Sequence, residues 1–516
     1  MKQSAALALT VLLLATTAFA VAQEEHHDHP APERLGTVVF PTTCAPGTNV
    51  GFTRGVALMH SFAYSAARQA FAEVAKQDPQ CAMAYWGEAM SHYHALWEPQ
   101  VDSEDEMREA DDAANHAASL PANPREKQYI DAAQIYYRDW QHATPAIRAQ
   151  RYADAMAGVA KANPKDEEAQ VFYALALVAT ASPTDPTHKN QKLAAAILEP
   201  RWKQQPQHPG IPHYMIHAYD STELAPRGLP AARAYAKIAP SAPHALHMPS
   251  HIFTRMGFWT DSVSSNIAAQ TAAKEQKDIG EELHAADYLT YAYLQLGRDG
   301  DARAVAAVYA AMPTLQASQF KIGYAANAMP VRLAVERHDW DRAATLTPLP
   351  GSPPHVAAIV YWARALGHTR GKTPSSPDAD IKALEECREK LRAMGNDYWA
   401  MQVDGMVKSA QAWKLKIDGD TAGAVAMLRA AADQEDGLEK LPVTPGPVVP
   451  AREQLAEMLL ALHRPADALT EFKADLVLAP GRREALEGAA MAAREAGDTR
   501  AEGQYRAKLQ SQSGAP

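Results

Sequence analysis

The sequence predicts an all-α fold, a curved α-solenoid of helix-turn-helix repeats, and three observations predict it. Alanine-rich apolar spacing of helical period dominates the chain, while β-branched alternation is rare. A small, aromatic, proline pattern recurs at Ala67, Phe71 and Pro79, at Ala231, Tyr235 and Pro243, and at Ala468, Phe472 and Pro480. Finally, 516 residues exceed one ordinary core, which suits units that bury surface only against their neighbours.

Taken in order, residues 1–22 carry Lys2, an apolar run from Ala5 to Phe19 and small residues at Ala18, Ala20 and Ala22, the layout of a cleavable secretory signal peptide. Residues 23–39 are polar and proline-bearing and read as a disordered leader, whose His26, His27 and His29 can hold metal adventitiously. A first solenoid is expected over 40–345, a proline-rich interruption over 346–380, and further helical repeats over 381–516. In each unit the small residue lets paired helices cross closely, the aromatic fills the gap between them, and proline stops the second helix. Weaker echoes fall at Leu296-Gly297, Trp340–Ala343 and Ala424–Leu428. The segment LPVTPGPVVP, Leu441–Pro450, is too proline-dense for a helix and is expected to cross the solenoid as a loop that lines a site.

The spacing of these units, with the phrases CAMAYWGEAM, IPHYMIHAYD, PHALHMPSHIF and VTPGPVVPAR, resembles exported bacterial tetratricopeptide-repeat (TPR) proteins of unassigned activity. The resemblance runs from about Leu35 into the C-terminal units. It implies tetratricopeptide-type repeats, export, and a concave groove for a peptide or protein partner. No activity follows from it.

A net charge of −10 with acids and bases interspersed offers no basic stripe, which argues against nucleic acid as a partner. No run beyond the signal is long and apolar enough for a transmembrane segment, so a periplasmic or secreted protein is expected. Of three cysteines, Cys44 and Cys81 stand before the first helices of successive units; they form either a disulfide or two buried thiols, while Cys387 has no evident partner.

The candidate site is a histidine echo. His213 and His217 recur as His247 and His251, both displaced by 34 residues, the length of one repeat. Residues four apart share a helix face, so each pair can offer two nitrogens to a metal, and adjacent helices are close enough for one ion to be shared. His284 follows in the next unit. Asp220 and Asp287, three residues after His217 and His284, are candidate metal-shell or catalytic acid-base residues. His244, Tyr214 and Tyr288 beside the cluster are candidate ligand-binding groups, and His60 and His94, again 34 apart, extend the inner stripe.

This donor set suits zinc or iron; Met215 and Met248 keep copper as a lesser choice. The duller reading is that the echo comes from duplication and the imidazoles only hydrogen-bond to nearby carbonyls. Two functional classes follow from the residues: an exported solenoid that binds a peptide, protein or small ligand beside a histidine-rich metal site, or a metal-dependent hydrolase or oxidoreductase. The phrase HYMIH lacks the glutamate of HExxH, and no phosphate-cradling glycine loop or GxSxG elbow is present.

Overall fold

The computed structural model describes residues 33–96, 103–312 and 315–513, and every helix belongs to the unit Arg34–Pro516. Among the described residues all regular structure is helical. The signal peptide of 1–22 and most of the leader lie outside the described residues.

Helices that follow one another in sequence pack against one another in space, from Asn49–His60 on Tyr64–Gln77 through to Arg483–Glu495 on Thr499–Ser513. Alternate helices also touch: Glu167–Ala179 meets Gly210–Ala218, and Ile279–Gln295 meets Phe320–Val335. That is the pattern of a tetratricopeptide-like solenoid, in which first helices of successive units stack. The repeat residues do what their types require. Phe71 is fully buried against Gly87, where a Cβ would come within 2.4 Å of its ring, and Phe472 meets Gly488 in the same way at 2.2 Å. Both pairs are 16 residues apart, so one packing unit recurs at the two ends of the chain.

Two expected boundaries shift. The last residues of the leader are ordered: Thr37 N donates to Gln207 O at 2.8 Å, Arg34 N to Ser241 Oγ at 2.8 Å, and Leu35 and Phe40 are buried. The stretch 346–380 is not one interruption, because Pro354 occupies the first turn of a 17-residue helix, Pro354–Arg370. Proline is well suited to that position, whose N–H would lack an intrahelical partner.

The C-terminal units return onto the middle of the chain: Trp259 Nε1 donates to Gly481 O at 2.9 Å, and fully buried Arg482 is held by Glu336 and Glu453. Segment Leu441–Pro450 is non-helical and runs through the interior. Tyr288 Oη donates to Thr444 O at 2.9 Å, and Leu441 N donates to Tyr398 Oη at 3.0 Å. Cys44 and Cys81 are bridged, with Cα atoms 4.7 Å apart, while Cys387 is a buried free thiol. No helix among the described residues is long and apolar enough to cross a membrane.

Candidate metal centre

Six histidines come together, but around two points rather than one. His213, His217 and His244 form one triad and His247, His251 and His284 the other; within each, one ligand atom per residue lies within 4.8 Å of the others. The triads adjoin, with 5.7 Å between the ring centroids of His217 and His251. All six side chains are buried, His217 being the most exposed at 7%.

Local sequence explains the placement. His213 and His217 share helix Gly210–Ala218, whose first residue must be glycine because a Cβ there would lie 2.6 Å from His60 Nδ1. His247 ends helix Pro243–His247 and His251 lies in Pro249–Arg255. Pro249 removes a hydrogen bond, yet Met248 keeps helical angles (φ −52°, ψ −36°), so the i, i+4 relation survives the break. His284 and Tyr288 lie one turn apart on Ile279–Gln295.

Hydrogen bonds orient the rings. His213 Nδ1 donates to His60 O at 2.6 Å, and His251 Nδ1 donates to Asp220 Oδ2 at 2.9 Å. His247 Nδ1 donates to Asn266 Oδ1 at 2.7 Å; the other end of that amide donates to Ser262 O at 2.7 Å, which sets which way it faces. Nδ1 is thus the protonated nitrogen in all three rings, and Nε2 points inward as a lone pair. His213 Nε2 lies 3.1 Å from His217 Nε2, a contact that one His217 tautomer satisfies. His247 Nε2 lies 3.0 Å from His251 Nε2, and there both protons are already committed to Nδ1. Two bare lone pairs then face each other at hydrogen-bond distance.

Protonating either ring would relieve this contact, but the surroundings oppose it. Burial pushes His213, His217, His247 and His284 well below their usual range, with neighbouring imidazoles adding to it. His251 is lowered to about 4 by burial in spite of Asp220. All five rings are therefore neutral near pH 7, the form that binds metal.

The remaining sequence candidates have other tasks. Asp220 does not sit in the triads: its carboxylate accepts from His251, from Arg255 Nε at 2.9 Å and from Lys440 Nζ at 2.7 Å. Against the burial that would raise it, Lys440 and Arg255 hold it well below the carboxylate range, so it orients His251 as an anion. Asp287 is corrected as a candidate base, because both its oxygens are taken by Arg332, at 2.8 and 3.2 Å.

Tyr214 turns away from the cluster and bonds His60 Nδ1 at 2.8 Å, while His60 Nε2 meets Glu168 at 2.8 Å. His60 therefore belongs to a closed His60–Glu168–His208 network in which hydrogen bonds already engage the carboxylate, and it serves the first triad through its carbonyl. His94 packs on Tyr64, outside both triads. Tyr288 packs edge-on to His247 at 4.7 Å and ties the cluster to Pro442 and Thr444.

Sequence reasoning missed Asn266, Lys440, Glu281 and Phe62. Glu281 Oε2 lies 3.3 Å from His244 Nδ1, and Phe62, at φ 54°, stacks on His217 and His244. None carries a motif, although Lys440 stands directly before the proline-rich segment Leu441–Pro450. A cavity of about 760 Å³ reaches the first triad, with His217, Asp220, Lys440, Asn396 and Trp399 in its wall. Lys440, at that wall, is lowered by burial to about 8 in spite of Asp220.

No family model and no curated protein matches the chain. Similar solved structures include an IFIT1 monomeric mutant with Gppp-AAAA, at 12% identity over 83% of this chain and 90% of that one, with TM-score 0.37. The APC/C hetero-tetramer Cut9-Hcn1 is similar at 12% over 86% and 76%, TM-score 0.35, and yeast Tom70 at 12% over 90% and 92%, TM-score 0.31. What those proteins bind does not transfer across likenesses this distant.

Proposed function

We propose that this chain is an exported tetratricopeptide-like protein that holds two transition-metal ions, one in each buried histidine triad, beside a pocket for a small ligand. The observation that carries the reading is the contact of His247 Nε2 with His251 Nε2 at 3.0 Å, where both Nδ1 protons are directed to Asn266 and Asp220. A cation between the nitrogens turns that repulsion into coordination, and ring N–H groups directed to a carboxylate or amide oxygen are the usual outer partners of metal-bound histidines. Three imidazoles suit zinc or iron, with any further position left to water or ligand. Export is supported by the signal-like N-terminus and by the Cys44–Cys81 bridge. A cavity of about 760 Å³ with His217 in its wall supports a small ligand beside the first triad.

The test is metal analysis of protein lacking residues 1–30, which removes the HHDH leader. Two equivalents are expected in that protein, one each in the pairs His213→Ala, His217→Ala and His247→Ala, His251→Ala, and none when all four are replaced. Negligible metal in the parent protein would overturn the reading.

A second reading, a metal-dependent hydrolase or oxidoreductase, is favoured by the position of His217 in the cavity wall with Lys440 nearby. It requires turnover that disappears on metal removal and returns on reloading.

A further inference from the structure

Along Thr444–Pro450 lies a second cavity, of about 160 Å³. Four carboxylates stand in its wall: Glu435, Asp436, Glu439 and Asp475. Two of them are neutralised. Asp436 Oδ2 accepts from Arg452 Nε at 2.6 Å, and Glu439 Oε2 from Arg255 at 3.0 Å. Among the described residues, no cation forms an ion pair with the other two. Glu435 Oε1 accepts the Ala451 N–H, at 2.8 Å, and Asp475, 1% exposed, has an Oδ2 that receives no hydrogen bond among the described residues.

The nearest buried cation cannot serve them. Arg482 gives its guanidinium to Glu336 at 2.9 and 3.0 Å and to Glu453 at 2.8 and 3.0 Å, so it is already outnumbered by its own partners. Arg255 and Lys440, which also line the cavity, are bound to Asp220. Buried Asp475 and half-buried Glu435 therefore stand in the cavity wall without a cationic partner among the described residues. Trp362, Trp399 and Tyr398 complete the wall, and aromatic faces attract cations.

We propose that this cavity binds a small organic ammonium ion, with Asp475 and Glu435 as its counter-charges and the aromatic residues around its alkyl part. An unpartnered buried carboxyl group is costly, and a ligand N–H that reaches Oδ2 removes the cost. An organic ammonium suits this wall because Trp362, Trp399, Tyr398 and Ile359 offer apolar and aromatic contact to its alkyl part beside the two carboxyls. Burial pushes both carboxyls up, Glu435 to about 7, which a cationic ligand would oppose.

Titration calorimetry of the full chain with ethanolamine and with n-propylamine tests this, using n-propanol, in which a methyl replaces the ammonium of ethanolamine, as the uncharged control. Saturable binding of at least one amine is expected, absent for n-propanol and weakened at least about tenfold by Asp475→Asn and by Glu435→Gln. Metal content should stay unchanged in both variants, which separates this site from the histidine triads. If D475N fails to fold, E435Q carries the comparison, since a glutamine oxygen can still accept the Ala451 N–H. The proposal is overturned if neither amine binds up to about 10 mM, if n-propanol binds as well as the amines, or if both variants keep the native affinity.

Discussion

Replacing Asp220 with asparagine is the sharpest probe of the histidine geometry. The carboxylate is 6% exposed and accepts from three donors on two oxygens: His251 Nδ1 and Lys440 Nζ on Oδ2, and Arg255 Nε on Oδ1. An amide has one acceptor oxygen. Facing it toward His251 and Lys440 sets the NH2 against Arg255, which keeps Glu439 at 3.0 Å; the opposite orientation strands Lys440 and sets donor against donor at His251. Either way a buried charge pair is broken, at a cost of about 2–4 kcal/mol of folding stability. Lys440, already lowered to about 8, loses its main anionic support and moves further down.

For the metal, loss of the anion that orients His251 should weaken the second triad by about 10- to 100-fold, as removal of outer-shell partners commonly does. The first triad should be unaffected, since His213 is oriented by a backbone carbonyl. Competition with a chromophoric chelator measures both affinities, and denaturant unfolding of metal-free protein measures the stability term separately. Native affinity at both sites, with reduced stability, would mean that Asp220 only anchors Lys440 and Arg255, and the proton assignment on His251 would be wrong.

Two other expectations concern the frame around the site. Glu457 is held down to about 2 by Arg370 and His338 against the opposing effect of burial, from an ordinary 4.5. Its stabilisation is complete above pH 4.5 and is lost as pH falls toward 2, because the unfolded carboxylate takes up its proton first; it amounts to about 3 kcal/mol. Glu457→Gln should therefore lower stability at pH 7 and flatten the acid limb of the stability–pH curve, and an unchanged limb would remove Glu457 from that account. The Cys44–Cys81 bridge closes a separation of 37 residues, which corresponds to about 3–4 kcal/mol of unfolded-state entropy. The Cys44→Ser, Cys81→Ser protein should lose about that much by denaturant titration, and an unshifted midpoint would show the N-terminal unit to be held by packing alone.

The helices and their repeat length were legible because they rest on local chemistry: Phe71 needs a small partner, Pro79 follows the end of Tyr64–Gln77, and each of these acts within one unit. Leu441–Pro450 was legible as a loop through its prolines, though not in what it carries, since Lys440 meets Asp220 across 220 residues. The return of the C-terminal units onto the middle of the chain was not legible for the same reason. Arg482 reads as a charged surface residue near the C-terminus until Glu336 and Glu453 bury it, and no periodicity records that closure. Among the histidines, the i, i+4 pairs were visible, but His244 joined the first triad and His60 became its support through contacts that only the folded chain creates.

The echo by itself does not decide between duplicated packing and ligation, but the partners of the two pairs bear on it. Had the second pair merely inherited the packing of the first, the same kind of group should hold each leading ring. His213 Nδ1 instead donates to the carbonyl of His60, supplied from 153 residues away, whereas His247 Nδ1 donates to Asn266, 19 residues on, on the helix Trp259–Gln276. The two anchors are unrelated in chemistry and in origin, yet both fix the proton on Nδ1 and turn Nε2 inward to within 3.1 and 3.0 Å of the ring one turn later. What the two units share is the presentation of Nε2 pairs and not the means of producing it. Packing alone does not require a common nitrogen to face inward, whereas paired inward Nε2 lone pairs are an arrangement that a cation can use.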